Sequence, residues 1–283
     1  VGEQVRAEIE LRLRRERPVF VHIEQLQDQV EETLIDIGHA RVALAYAKYR
    51  ATRAAHRQVE ASQTRNEDGQ LELVGDEQSA DIRARVDYAS IGLKLTLSGG
   101  ELIERLQRGA SVELSADERR ETVVLNARGM LDVDADSRFF AARILLSYIY
   151  EETLAWKAAD GIGALKEAHH NAFLKYIPHG IAIRRLDERL AQFDLNRLAE
   201  TIDPFADLRF DFIGVQTLYD RYLIHERRAD GVKRRLEAPQ IFWLRVAMGL
   251  AIQETSDREA RVAEFYDLYK SKRACSSTPT LFN

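Results

Sequence analysis

The chain has 283 residues, room for one large domain or two small ones, and 45% are apolar, as in a protein that buries a core. Its 41 Lys and Arg against 46 Asp and Glu leave a net charge of −5, without the basic excess that counterion release exploits, so nucleic acid is not an expected partner. Cys275, the single cysteine, excludes an internal disulfide framework, and Arg or Gln interrupts every long apolar stretch, so no membrane span is expected and a reducing, cytoplasmic setting is.

Only five prolines and many Ala, Leu, Arg and Glu favour helix over strand. Val5, Ile9 and Leu13 predict a first amphipathic helix, which Pro18 breaks. A second carries Ile23, Leu26, Val30, Leu34 and Ile37 on one face and stops at Gly38. A third, over about 39–57, presents Val42, Ala45, Tyr46 and Tyr49, with Arg50, Arg53 and Arg57 near its end. From 58 to 83 the composition turns polar, with Asn66-Glu-Asp-Gly69 as a turn signal and Leu71-Glu-Leu-Val74 as a short hairpin candidate, and this reads as a linker. Residues 91–97 are ambiguous between strand and helix. Ser115-Ala-Asp-Glu118 is a capping box opening a helix to about Arg128, and Asp136-Ser137 starts another with Phe140, Ile144, Tyr148 and Leu154 along one side. Residues 165–174 and 181–193 read as two helices separated by Tyr176-Ile-Pro-His-Gly180. Leu218, Tyr219, Tyr222 and Leu223 mark a buried helix, with Asp220 and Arg221 facing outward.

From Pro239 on, eleven apolar-rich positions hold one charge, Arg245. Such a helix is central to its domain, Pro239 suits its first position, and Arg245 requires a buried acceptor. Ser256-Asp-Arg-Glu259 reads as a second capping box, for a helix with Val262, Phe265, Tyr266 and Tyr269. His169 and His170 are adjacent and point about 100° apart on a helix, unlike a zinc pair. His179 and His225 stand isolated, and Asp132-Val-Asp-Ala-Asp136 reads as a solvated loop without calcium-loop spacing. No metal site is expected.

Three blocks carry a resemblance: Phe212-Ile-Gly-Val-Gln-Thr-Leu-Tyr-Asp-Arg-Tyr-Leu-Ile-His225, Arg235-Leu-Glu-Ala-Pro-Gln-Ile-Phe-Trp-Leu-Arg-Val-Ala-Met-Gly-Leu-Ala251 and Ser276-Ser-Thr-Pro-Thr-Leu-Phe-Asn283. In this order they resemble the amino-terminal helical region of the large, catalytic subunit of ribonucleotide reductase. In front of them, Val21-His-Ile-Glu-Gln-Leu-Gln-Asp-Gln-Val-Glu-Glu-Thr-Leu-Ile35 and Ala45-Tyr-Ala-Lys-Tyr-Arg50 resemble the later part of an ATP-cone, without the strand and turn that open that module. Two departures stand out: Ala238 where the family often has a capping Thr, and the loop-lengthening insert 226–233.

The resemblance implies a mainly α chain: a partial helical ATP-cone over 1–57, the linker 58–83, the reductase helical domain over 84–270, and an entry segment 271–283 to a catalytic α/β barrel absent from this chain. It implies reduction of ribonucleoside diphosphates to deoxyribonucleoside diphosphates by thiyl-radical chemistry, for DNA precursor synthesis. The closest likeness is to class I, with a radical drawn from a separate metal-containing small subunit, and an adenosylcobalamin-dependent relative is a near variant. A homodimer of full-length large subunits, with ATP and dATP as allosteric effectors, is implied with it. Thr278 is expected beside the substrate diphosphate, where hydroxyls suit a phosphate and the following proline stiffens the loop. Lys48 and Arg50 are candidate contacts to an effector phosphate, against a reading as solvated helix-end charges. No catalytic residue and no cofactor is expected in this chain, and Cys275 reads as a packing thiol. Two origins are open: a fragment of a longer subunit, inactive alone, or a subunit made in pieces, for instance around an intein. The alternative from another class is a non-enzymatic helical module that senses nucleotides or binds a subunit.

Overall fold

The computed structural model describes residues 76–110, 114–227 and 231–282, together with isolated positions between Val5 and Tyr46. The chain divides into two units, Val1–Leu73 and Val74–Asn283. In the first, Val5, Leu34 and Ala43 are buried together, with Val30 and Ile37 packed on them. The His39 amide donates to the Leu34 carbonyl and the Ala43 amide to that of His39, so one helix closes and another opens where the sequence places the break. The inward side of the later helix is one residue on from the expected stripe: Val42 is 46% exposed and Ala43 is buried. Lys48, Arg50 and the candidate hairpin at 71–74 lie outside the described residues.

In the second unit, α1 (Asp76–Ser90) begins inside the span read as a linker, and Ile82, Arg85, Val86 and Ala89 put one face of it into the core. Capping boxes at Ser98 and Ser115 open α2 (Gly99–Gln107) and α3 (Ala116–Arg128). Between α1 and α2, residues 91–97 are neither strand nor helix. Their amides are instead held by acids: Lys94 N–H donates to Asp136 Oδ2 at 2.7 Å and Thr96 N–H to Asp134 Oδ2 at 2.9 Å. The acidic loop 132–136, expected to be merely solvated, is thus a clamp. Thr96 first, then Ser137, hold the Asp134 carboxyl below its ordinary range.

The largest departure from the expected one-sided pattern is α4 (Ser137–Leu154), buried without interruption from Phe140 to Tyr150. It packs against α1, α3, α5 (Leu165–Ala182) and α7 (Phe212–Thr217). Two of its buried polar side chains find partners: Arg143 donates through its terminal nitrogens to the carbonyls of Ala89, Ile91 and Leu208, and Ser147 accepts from Arg85. Arg85 also meets Asp81 and Glu151 and lies 3.7 Å over the Tyr148 ring. The helix ends at Ala155, whose φ of 55° is left-handed and unfavourable for a side chain. Ala155→Gly is expected to raise stability by about 0.5–1 kcal/mol in a urea titration, since glycine adopts this conformation without the Cβ clash.

The two helices expected around Pro178 are one, α5, which runs through the proline. Pro178 is exposed near the last turn, where it removes a single helical bond, while Tyr176, Ile177 and Gly180 stay anchored in the core. Gly180 is required by close approach: a Cβ there would stand 2.5 Å from Leu186 Cδ1. Beyond Ala182 only a short 3-10 turn, Glu188–Gln192, forms, and α6 (Leu195–Glu200) follows. After α7 the chain makes a wide π-type turn, Leu218–Tyr222, in place of a longer helix. The insert is a two-stranded antiparallel ribbon, β1 (His225–Arg227) with β2 (Lys233–Arg235).

Helix α8 (Pro239–Leu250) has Pro239 in its first turn and no side-chain cap at Ala238, and 239–248 are all buried. It packs on α9 (Arg258–Lys270). The second capping box does not form. Asp257 takes a left-handed conformation at the α9 start, and the Glu259 carboxylate accepts from the Asp194 amide at 3.0 Å.

Candidate functional site

The residues after α9 are held by groups rooted in α8, α9 and the π-type turn. Arg245 finds the buried acceptor that the sequence required, Glu237, in a two-pronged pair: Nε to Oε2 at 2.9 Å and Nη2 to Oε1 at 3.0 Å. Both side chains are within 1% of complete burial. Tyr176 Oη donates to the same carboxylate at 2.6 Å and the Ile224 amide at 2.9 Å. Burial works against the Arg245 charge, and Glu237 and Tyr176 together more than offset it. Arg245 Nη2 also reaches the Leu281 carbonyl at 3.3 Å, tying residues 276–281 to the core.

Two tyrosines complete the anchoring. Tyr269 of α9 stacks on Trp243 of α8, rings 5.2 Å apart, and its hydroxyl bonds that of Ser276. Tyr222 Oη lies 3.2 Å from Thr278 Oγ1. Thr278 and Pro279 stay exposed while Leu281 is buried. The strand-like geometry expected for 280–282 is replaced by a short helical turn, α10 (Thr278–Phe282), in which the Thr280 and Leu281 amides donate to the Ser277 carbonyl. Pro279 favours this, because its φ is preset for a helix and its missing amide is not needed in a first turn. Cys275 is exposed, not a packing thiol: it precedes the anchored hydroxyls, and its Sγ lies 3.6 Å from the Ser276 carbonyl.

Behind this segment lies a buried polar relay that sequence reasoning missed. Tyr150 Oη and Gln240 Nε2 donate to Asp207 at 2.7 and 2.6 Å. Tyr266 Oη donates to Gln240 Oε1 at 2.7 Å and accepts from the Asp203 amide at 3.0 Å. Burial pushes the Asp207 carboxyl up to about 7, against the lowering effect of its two donors. The only available signals were an acid in an apolar run and a Gln at the start of an all-apolar helix.

The adjacent pair His169 and His170 divides as the sequence suggested, whereas His179 does not stand alone. His169 is buried and neutral, its Nδ1 2.8 Å from the Leu165 carbonyl, and burial lowers its pKa to about 4. His170 is half-buried on another side of α5. His179 is not isolated: its Nε2 lies 3.0 Å from Glu226. Among the described residues no cluster of His, Cys, Asp or Glu fits a metal ion, and no helix is long and apolar enough to cross a membrane. Thr278 is therefore the one candidate site residue that the structure describes.

Residues 208–283 match the family model described as "Ribonucleotide reductase, all-alpha domain". A ribonucleoside-diphosphate reductase subunit alpha from Chlamydia trachomatis serovar D is 35% identical over 284 residues, covering 93% of this chain and 25% of that protein. The Helicobacter pylori subunit alpha is 31% identical over 172 residues, covering 60% of this chain and 20% of that protein. A large subunit from Trypanosoma brucei brucei is 35% identical over 86 residues, 30% of this chain and 10% of that protein. The chain spans about a quarter of the length of the first of these relatives. The buried Glu237–Arg245 pair and the anchored Ser276–Leu281 turn both lie within the matched residues, and the chain belongs to the ribonucleotide reductase large-subunit family, corresponding to its amino-terminal, mainly helical part.

Proposed function

We propose that this chain is the helical front of a class I ribonucleoside-diphosphate reductase large subunit, and that Thr278 presents its hydroxyl to the substrate diphosphate. The radical comes from a metal-containing small subunit, the large subunit works as a homodimer in the cytoplasm, and ATP and dATP regulate it through the partial cone, with Lys48 and Arg50 toward the effector phosphates. The observation that carries the reading is the posture of Thr278: an exposed hydroxyl on a turn fastened at Ser276, Thr278 and Leu281 to buried or half-buried partners. A hydroxyl held this way is already oriented, so little entropy is lost when it donates to a phosphate oxygen.

In a full-length subunit assayed with its small subunit, Thr278→Ala is expected to lower kcat/KM for CDP by roughly 10- to 100-fold, the equivalent of about 1.5–3 kcal/mol for a bond to a charged group, with Thr278→Ser near wild type. An unchanged kcat/KM in Thr278→Ala would remove the phosphate role while leaving the family assignment untouched.

A further inference from the structure

The ribbon β1–β2 carries a charge pattern that its own stability does not favour. Its register sets Arg227 opposite Lys233 and His225 opposite Arg235, and alternation along each strand puts these four on one face. Like charges directly opposite destabilise a strand pair. Arg235 is occupied, lying 3.7 Å over the Tyr219 ring and donating to the Tyr219 carbonyl. Arg227 and Lys233 are exposed, as is Arg185 just past the end of α5, and among the described residues none of the three has an acidic partner. The opposite face is neutralised: Glu226 meets His179 at 3.0 Å and Arg234 at 3.9 Å. The exposed cations without an acidic partner, Arg227 and Lys233, therefore share one side at the outer end of the ribbon, while His225 and Arg235 at its inner end are half-buried. His225 feels the result, held below its ordinary value by partial burial and then by Lys233, with Arg235 and Arg185 contributing.

We propose that this face of the ribbon, with Arg227, Lys233 and Arg185, is a docking surface for an acidic, extended polypeptide segment of a partner protein. Arg227 and Lys233 face each other at the outer end of the ribbon and Arg185 acts on His225 at its inner end, so the exposed cations follow one another along the ribbon, a layout that suits successive acidic side chains of an extended segment. A small phosphate ligand would want a concave site, and a nucleic acid a longer basic track than this chain of net charge −5 provides.

The test uses the whole chain and a fluorescein-labelled octaglutamate peptide, followed by fluorescence anisotropy at 20 and 200 mM NaCl. Binding is expected at the lower salt and at least tenfold weaker at the higher. Arg227→Glu should weaken it at least fivefold and the pair Arg227→Glu with Lys233→Glu should abolish it, while Lys166→Glu, an exposed change at the far end of α5, leaves it unchanged. Arg227→Glu also places opposite charges across the strands, so its melting temperature should hold or rise as binding falls, which a folding defect would not produce. The proposal is overturned if the peptide does not bind at 20 mM NaCl, if Arg227→Glu binds as wild type, or if inorganic phosphate or a 12-nucleotide single strand binds this face more tightly than the peptide.

Discussion

Replacing Glu237 with Ala is expected to destabilise the second unit by about 3–5 kcal/mol, read as the fall in unfolding free energy in urea. The substitution leaves the Arg245 guanidinium buried without its counter-charge, and it also orphans the Ile224 amide and the Tyr176 hydroxyl. Removing both charges tests the cause. Glu237→Gln combined with Arg245→Met keeps the volumes, leaves an amide oxygen for the Ile224 N–H, and should recover at least half of the loss, because the stranded charge dominates the penalty. A single-mutant loss below about 1 kcal/mol would contradict a pair buried this deeply.

The second large effect is a dependence of stability on pH that runs opposite to that of an ion-paired carboxylate. Asp207 has a folded pKa of about 7 against an ordinary 3.8. Between those values the folded chain holds a proton there that the unfolded chain has lost, so stability falls as pH rises and levels off above the folded pKa. From pH 5 to pH 8 the decline attributable to this group is about 2–3 kcal/mol. Asp207→Asn removes the titration while keeping an oxygen for the Tyr150 hydroxyl, and a turned Gln240 amide accepts from the new amide group. The difference between wild-type and variant unfolding free energies at pH 5, 6, 7 and 8 cancels the other groups, and it should swing toward the variant as pH rises. Parallel profiles would mean that Asp207 stays ionised across the range.

Where one residue type dominated the local physics, the sequence could be read directly. The Ser115 capping box, the start at Ser137, the wholly buried helix after Pro239, and the need of Arg245 for an acceptor were all legible. Features decided by distant groups were not. Nothing near Ser256 says that Glu259 will be drawn to the Asp194 amide, and nothing near Pro178 says that burial on either side will carry the helix through it. The two-sided burial of α4 was hidden because Arg143, Ser147 and the tyrosines make it look amphipathic; only their long-range partners reveal them as interior. At the candidate site, Thr278 was found through family likeness, whereas the tyrosines that hold its segment, Tyr222 and Tyr269, read as ordinary core aromatics.

The partners of α4 also set a timetable for biosynthesis. The helix is complete at Leu154, yet Asp207 and Leu208, to which it is hydrogen-bonded, come far later in the chain, as does Arg235, whose amide bonds Glu152. At roughly 5–20 residues per second of ribosomal synthesis, its apolar surface waits several seconds for cover. A nascent chain of this kind is a natural client for chaperones that shield exposed helices, and slowing translation after Leu154 would lengthen its exposure rather than help it fold.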